Sequence, residues 1–441
     1  MAQNANEFHN FRFSESVQKG INQLGFKKPT AIQLKVIPPI LRGESVIGQS
    51  HTGSGKTHAY LLPMFQSLEE DKRVVQFVII APTRELAIQI YDEVKKFIDF
   101  AEKKGKWFSK LLIGGTEKKK DIEKLKEAPH IVVGTPTRVL DLAKEGVLDL
   151  YTAKSLVLDE ADLAIDLGFL QEVDQILVRM NQDSQMMVFS ATIPEKLAPL
   201  LKKYMDNPTL IKIKEQTIAP EKMEHRLIPL RHRKVGQVIE KVAELINPFL
   251  ALIFVNRKDA CDVLADDLIS RGLNVGVIHG GLSPRERKRV LKEIKDLRYQ
   301  YIVATDLAAR GIDIPGVSHV INAELPQEEE VYIHRVGRTA RAGLEGTALS
   351  LYKEDDSQLI SKLEKKGLVF TAYDVNKGEW QPIKKWNERA TRVKQESEIE
   401  KQAWSKVKKP TKVKPGYKKK MKTQAKQIQK KLERNSFKKK K

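Results

Sequence analysis

Short runs of Val, Ile and Leu alternate with longer stretches of helical periodicity, and they do so in two separate blocks of the chain. In the first block the runs are SVIGQ, VVQFVIIAP, HIVVGTP, SLVLDE and MMVFSAT; in the second they are ALIFVN, NVGVIHG, YIVATD, VSHVINAE and TALSLY. Polar residues and a helical pattern follow them, as in TRELAIQIYDEVKKFI. Short buried strands alternating with helices specify a parallel sheet with helices on both faces. The chain is therefore expected to be α/β, with two tandem domains at residues 1–213 and 223–373. Residues 214–222 are polar, contain Pro220 and suit a linker. After about Asp374 the sheet pattern stops, and residues 374–441 read as a basic tail.

The 441 residues suffice for two domains of ordinary size, and a hydrophobic share of 41% supports sizeable cores. Cys261 is the only cysteine, so no internal disulfide is possible. No apolar run reaches the length of a membrane span, and the first residues show no basic-then-apolar leader. A cytoplasmic location is expected. The net charge of +21 is unevenly placed: residues 401–441 hold 18 Lys or Arg against one acid, Glu433. The tail alone is therefore +17 and the remaining 400 residues only +4. A polycation on a balanced body suggests an anionic partner, most often nucleic acid, or else a solubilising tail. Met421, Ala425, Ile428 and Leu432 share one helical face in it, either a helix formed on a partner or an accident of biased composition.

Ser50–Thr57 reads SHTGSGKT. A phosphate loop wraps consecutive backbone N–H groups around phosphates at a helix N-terminus. Gly53 and Gly55 supply the conformations for close approach, Lys56 reaches the phosphates and Thr57 suits Mg²⁺. Ser50 stands where the pattern has its first glycine, a replacement a small residue tolerates. Only the first block has such a loop. In SLVLDEAD an acidic pair, Asp159 and Glu160, ends an apolar strand: one acid can bind the metal shell while the other positions the attacking water.

Asp159-Glu160-Ala161-Asp162 spells DEAD, and residues 8–372 resemble the DEAD-box RNA helicases of superfamily 2. The motifs occur in family order: GFKKPTAIQ, SHTGSGKT, PTREL, GG, TPTR, DEAD, SAT, HGGLSPRER, ATDLAARGID and HRVGRTAR. Spacing and basic tail look most like the bacterial cold-shock branch. The resemblance implies two RecA-like domains, ATP and Mg²⁺ as cofactors, and hydrolysis stimulated by RNA. It gives adenine to Gln33 and Phe8, phosphates to the loop Ser50, His51, Thr52, Gly53, Ser54, Gly55, Lys56 and Thr57, and ribose to Asp313. Catalysis falls to Lys56, Asp159, Glu160, Arg338 and Arg341, metal binding to Thr57 and Asp159, and coupling of the ATP and RNA sites to Ser190, Thr192 and His334.

The implied RNA track runs through Pro82, Thr83, Arg84, Gly114, Gly115, Thr135, Pro136 and Arg138, then Arg257, Arg287 and Thr305. Amides, hydroxyls and guanidinium groups bind sugar-phosphate without reading sequence. Thr137, Pro284 and Ala340 depart from residues the family commonly has. The expected function is local unwinding of short RNA duplexes by ATP- and RNA-driven domain closure, in ribosome assembly, RNA remodelling or cold adaptation. The expected form is a monomer, with ribosomal subunits or RNA-degradation proteins as further partners. The alternative is an RNA-binding assembly factor or annealing chaperone that uses ATP as a clamp switch. The tail is expected to be disordered when free and to tether RNA. Truncation after Glu400 should then raise the RNA concentration needed for half-maximal ATP hydrolysis, most strongly at low salt, where the tail's charge contributes most; an unchanged value would assign the tail to solubility or another partner.

Overall fold

The computed structural model describes residues 6–50, 53–115, 117–213, 223–309, 314, 316–339, 346–376, 378–384, 386, 407, 424 and 427–428, the side chains of Lys124 and Pro284 excepted. Met1–Ile383 form one compact unit and Lys384–Lys441 another. The second is described at a few positions only, with helical backbone at Gln424, Gln427 and Ile428. Met421, Ala425 and Leu432 lie outside the described residues, as does the segment 214–222. No helix among the described residues is long and apolar enough to cross a membrane.

The first unit holds two sheets. The first comprises β1 (Val46–Gln49), β2 (Phe77–Ile80), β3 (Ser109–Leu112), β4 (Ile131–Gly134), β5 (Ser155–Leu158), β6 (Gln185–Ser190) and β7 (Thr209–Lys212), in the order β3-β4-β2-β5-β6-β1-β7. Every pairing in it is parallel. Burial follows the two-residue period of a strand. Phe77, Ile79, Val157 and Phe189 join the core on one face, and Val78, Ile80, Leu156 and Val188 join the core on the other. Gly48 of β1 lies opposite Phe189 of β6, and a Cβ there would sit 2.7 Å from the Phe189 ring.

The second sheet comprises β8 (Met223–Pro229), β9 (Ala251–Val255), β10 (Val275–Ile278), β11 (Tyr301–Thr305), β12 (His319–Asn322), β13 (Gly346–Tyr352), β14 (Phe370–Asn376) and β15 (Glu379–Pro382), in the order β10-β11-β9-β12-β13-β8-β14-β15. Only the β14–β15 pair is antiparallel. The sheet thus runs on to Pro382, past the Asp374 limit expected from the apolar pattern. This last hairpin lies at the sheet edge, where it is held by Trp380 against Tyr373 (centroids 5.8 Å apart) and by Arg226, 4.8 Å over the Trp380 ring. Half-exposed aromatic strands of this kind leave no apolar run in the sequence.

Strand order brings the functional segments together. β5, β6 and β1 are neighbours, so Asp159, Ser190 and Ser50 emerge side by side at their carboxyl ends. The Ser50 amide donates to the Ser190 carbonyl at 3.1 Å, carrying the pairing one residue into the loop. In the second sheet the helix Glu329–Val336 is fixed by Arg335, which is 1% exposed. Its guanidinium donates to both Asp306 oxygens (2.5 and 2.7 Å), to the Glu324 carbonyl (2.6 Å), to Asn256 (2.7 Å) and to Asn322 (3.2 Å). On the same helix Tyr332 meets His225 Nδ1 at 3.0 Å, and burial holds that imidazole down at about 4, neutral at physiological pH. Arg335→Ala would strand Asp306 without its partner. With Arg335 buried and Asp306 a quarter exposed, a loss on the order of 3 kcal/mol is expected, from the unpaired carboxylate and the emptied site together, read from urea unfolding of the full chain.

Candidate nucleotide and nucleic-acid site

Gly53 and Gly55 have φ of 82° and 92°, the left-handed region that lets the loop fold back onto the helix Lys56–Gln66. A Cβ on Gly55 would meet Gln33 Nε2 at 2.8 Å. Gln33, 4% exposed, donates to the Gly55 carbonyl (3.1 Å) and accepts from the Thr30 amide (2.9 Å). It braces the loop, and by count one N–H and one lone pair of its amide remain. Phe8 is only 2% exposed, packed against Phe11 and Phe26. A ring so buried offers no face to a base. The half-buried ring beside it is Phe26, 4.8 Å from His58 just past the loop. Phe26 is the second residue of GFKKPTAIQ, which is the sequence signal for an aromatic at this place.

The loop's charge chemistry is already folded in. Lys56, 6% exposed, donates from Nζ to the Ser50 carbonyl (2.8 Å) and lies 3.5 Å from Glu160 Oε1. Ser50 and Ser54 hydroxyls are 2.8 Å apart. Asp159 is buried, accepts from Tyr60 Oη at 2.8 Å and from the Glu160 amide at 2.9 Å. Burial, then the neighbouring Glu160, raises the Asp159 carboxyl to about 6 against the pull of Lys56 and Tyr60. Two carboxylates around one ammonium leave the pocket short of a positive charge, which fits a divalent cation held by Asp159 and Thr57. Glu160 sits at φ 48°, a strained conformation for a side-chain-bearing residue, typically costing about 1–3 kcal/mol. That backbone bend turns the chain from β5 into the helix Ala161–Asp166 and leaves the Glu160 carboxylate on Lys56.

Ser190 and Thr192 converge on Asp162. Its amide donates to Ser190 Oγ (3.1 Å), and its Oδ2 accepts from the Thr192 amide and hydroxyl, both at 3.1 Å. Burial works to raise the Asp162 carboxyl, but the charge of His334 from the second sheet's helix, then Lys56 and these hydrogen bonds, bring it below its ordinary value. Asp162 is a functional candidate beyond those named from the sequence, and its place as the last residue of DEAD is the signal that points to it.

The nucleic-acid candidates fall into two kinds. Thr83 caps the helix Arg84–Phe100 by accepting from the Leu86 amide, and buried Pro82 precedes it. Arg84 lies against Gly114 and Gly115, where Gly115 has φ 83° and a Cβ would crowd the Arg84 guanidinium. Thr135 and Pro136 open the helix Pro136–Lys144. Arg257 is exposed before Lys258–Ser270, while Thr305 ends β11 with 8% exposure. Arg138 instead turns inward onto Asp121 at 2.6 Å, and both are buried. Arg287 reaches from the second half to Glu85 of the first, and also donates to the Ala308 carbonyl at 3.0 Å. Glu85 is a further residue the sequence reading passed over. Arg338 is 9% exposed after the helix that carries His334. His51, Thr52, Asp313, Ala340 and Arg341 lie outside the described residues.

A DEAD/DEAH box helicase family model matches residues 30–200, and the helicase conserved C-terminal domain matches residues 236–343. The chain is 51% identical over 435 residues to the DEAD-box ATP-dependent RNA helicase CshB of Bacillus subtilis, covering 99% of each. It is 48% identical to CshB of Listeria monocytogenes, covering 94% of this chain and 95% of that one. It belongs to the DEAD-box ATP-dependent RNA helicases. Among solved structures, S. cerevisiae Dbp5 bound to RNA and ADP BeF3 matches with a TM-score of 0.76 at 29% identity, over 84% of this chain and 96% of that chain. Mss116p bound to ssRNA and AMP-PNP matches with a TM-score of 0.72 at 29% identity, over 83% and 78%. Tandem RecA-like sheets are thus the fold of this DEAD-box chain.

The raised Asp159 carboxyl has a consequence for stability. An acid whose folded value exceeds its unfolded one stabilises the fold least at high pH: the fold is favoured below about pH 4 and loses that advantage as pH climbs to about 6. Asp159→Asn, without nucleotide or divalent cation, should therefore raise stability at pH 7 by on the order of 2 kcal/mol, with the gain fading toward pH 4. Denaturant unfolding at the two pH values reads it.

Proposed function

We propose that this helicase hydrolyses ATP in response to RNA and separates short RNA duplexes by drawing its two sheets together on both ligands. The observation that carries this reading is the set of buried Lys56 and Asp159 with partly buried Glu160, with the field of His334 reaching Asp162 from the other half. ATP would lay its base on Phe26 and the spare hydrogen-bonding positions of Gln33. Lys56 would exchange the Ser50 carbonyl and Glu160 for phosphate oxygens. That exchange takes the counter-ion from Glu160 and leaves its carboxylate free to orient water and accept its proton. Mg²⁺, held by Thr57 and Asp159, would supply charge neutralisation at the phosphates. Arg338, with Arg341, would bring guanidinium groups to the developing charge from the second half.

RNA would lie on the amide, hydroxyl and arginine surface of Pro82, Thr83, Arg84, Gly114, Gly115, Thr135 and Pro136, and on Arg257 and Thr305. Arg138, paired with Asp121, would act by holding that helix, and Arg287 by joining the halves through Glu85. A strand held across both halves follows their surface and leaves the duplex geometry its partner needs. Because both ligands favour the closed arrangement, each should tighten binding of the other. Ribosome assembly, RNA remodelling in the cold and a cytoplasmic monomer working on ribosomal or structured RNA are the setting this reading favours.

The test pairs ATP hydrolysis, with and without RNA, with release of a short RNA duplex and a DNA control. RNA-stimulated hydrolysis that Glu160→Gln lowers by at least about 10²-fold, together with RNA strand release, is expected for loss of a catalytic base. Tight RNA binding without hydrolysis in the unaltered chain would make it a clamp and overturn this reading.

A further inference from the structure

The helix Pro284–Lys295 begins at the HGGLSPRER motif, and the motif accounts for only its inner side. There Arg287 reaches Glu85 and the Ala308 carbonyl, and Val290 and Ile294 are buried. The outer side is different. At 3.6 residues per turn, Arg285, Lys288, Arg289, Lys292 and Lys295 fall within about a third of the circumference. All five are exposed. Over ten residues the stripe is about 15 Å long.

Among the described residues none of the five stands within ion-pair distance of an acid. The helix's two acids lie off the stripe. Glu286 closes the capping box with Ser283 and shares some of its charge with Arg289, and Glu293 accepts from Tyr299 at 2.7 Å. On a body whose first 400 residues are only +4, five exposed cations on one helix face are a local concentration of charge. The chain's own tail is a polycation and would be repelled, so the complement is a separate polyanion.

We propose that this outer stripe binds the phosphate backbone of the double-stranded part of the RNA substrate, flanking the strand held along the motifs. The inference rests on the RNA-helicase reading above. A strand lying on the Arg287 side is separated from the stripe by the body of a helix about 10 Å across, so one strand does not serve both. The two backbones of a duplex do. Lysine and arginine at one-turn spacing supply point charges without base contacts, which gives sequence-independent and salt-dependent affinity.

The experiment compares the full chain with the Lys288→Ala/Arg289→Ala/Lys292→Ala variant, all three positions being exposed and outside the motif set. Binding of a blunt RNA duplex and of a single strand is titrated from low to high salt, and hydrolysis stimulated by single-stranded RNA is measured on the same samples. Expected is duplex affinity weakened on the order of tenfold or more, with the log–log salt slope reduced by roughly 0.9 for each phosphate that is no longer neutralised. Single-strand-stimulated hydrolysis should stay as in the unaltered chain. Unchanged duplex affinity and slope would overturn the proposal, as would equal losses for duplex and single strand. Absence of RNA stimulation in the unaltered chain would instead remove the helicase reading on which it stands.

Discussion

A buried lysine ammonium must be paired, because an isolated charge out of water costs far more than the whole fold is worth. Lys56 meets that demand with a carbonyl from its own loop and a carboxylate from the neighbouring β5 turn. Much of the first sheet's end depends on this arrangement. Loop curvature needs Gly53 and Gly55; the brace on Gly55 needs Gln33; the approach of Glu160 needs its left-handed backbone. The arrangement is also provisional. A ligand with phosphate oxygens and a cation offers Lys56 and Asp159 better partners than each other's surroundings do, so binding rearranges charges already in place.

The second half is rigid where it must present groups across the cleft. Arg335 is buried with hydrogen bonds to four residues and so sets how the helix Glu329–Val336 stands on its sheet. Tyr332, held by neutral His225, fixes the same helix from another side. His334 is between them in sequence and can therefore impose its charge on Asp162 from a defined position. Asp162 in turn is shared by Ser190 and Thr192 at the ends of neighbouring segments. Lys56 of the nucleotide loop and His334 of the second half both act on this one carboxylate, a position from which the proposed coupling could run.

The central strands were legible because burial on both faces leaves nearly unbroken Val/Ile/Leu runs. The strands that were not are of two kinds: β3, β7, β14 and β15 are edge or half-exposed segments such as SKLL and EWQP, and β8 lies inside its sheet but is written MEHRLIP, with three polar residues in a row. Motif spelling located the nucleotide loop and the carboxylate pair but not how each side chain is used. Phe8 and Phe26 are both aromatic and both lie near the glutamine; only their burial tells which has a free face. Arg138 and Arg287 read as equivalent track residues, yet one is enclosed with Asp121 and the other bridges the halves to Glu85. Partner identity is a tertiary fact, created by chain segments about 17 and 202 residues apart.

The Arg287–Glu85 contact also bears on why closure can be reversible. Each side chain is mostly shielded where they meet, so their Coulomb attraction is stronger than in an exposed surface bridge, and it exists only when the halves are together. Its desolvation cost and its Coulomb gain therefore both belong to the closed arrangement and largely offset each other. A hydrophobic seam of the same area would favour closure whether or not ligands were present, and would leave little for ATP and RNA to control. An ion pair fixes the register of the two halves while contributing little net free energy. On the proposed function, the balance between open and closed would then be left to the ligands, and RNA would be released once the phosphate contacts proposed for Lys56 and Arg338 were gone.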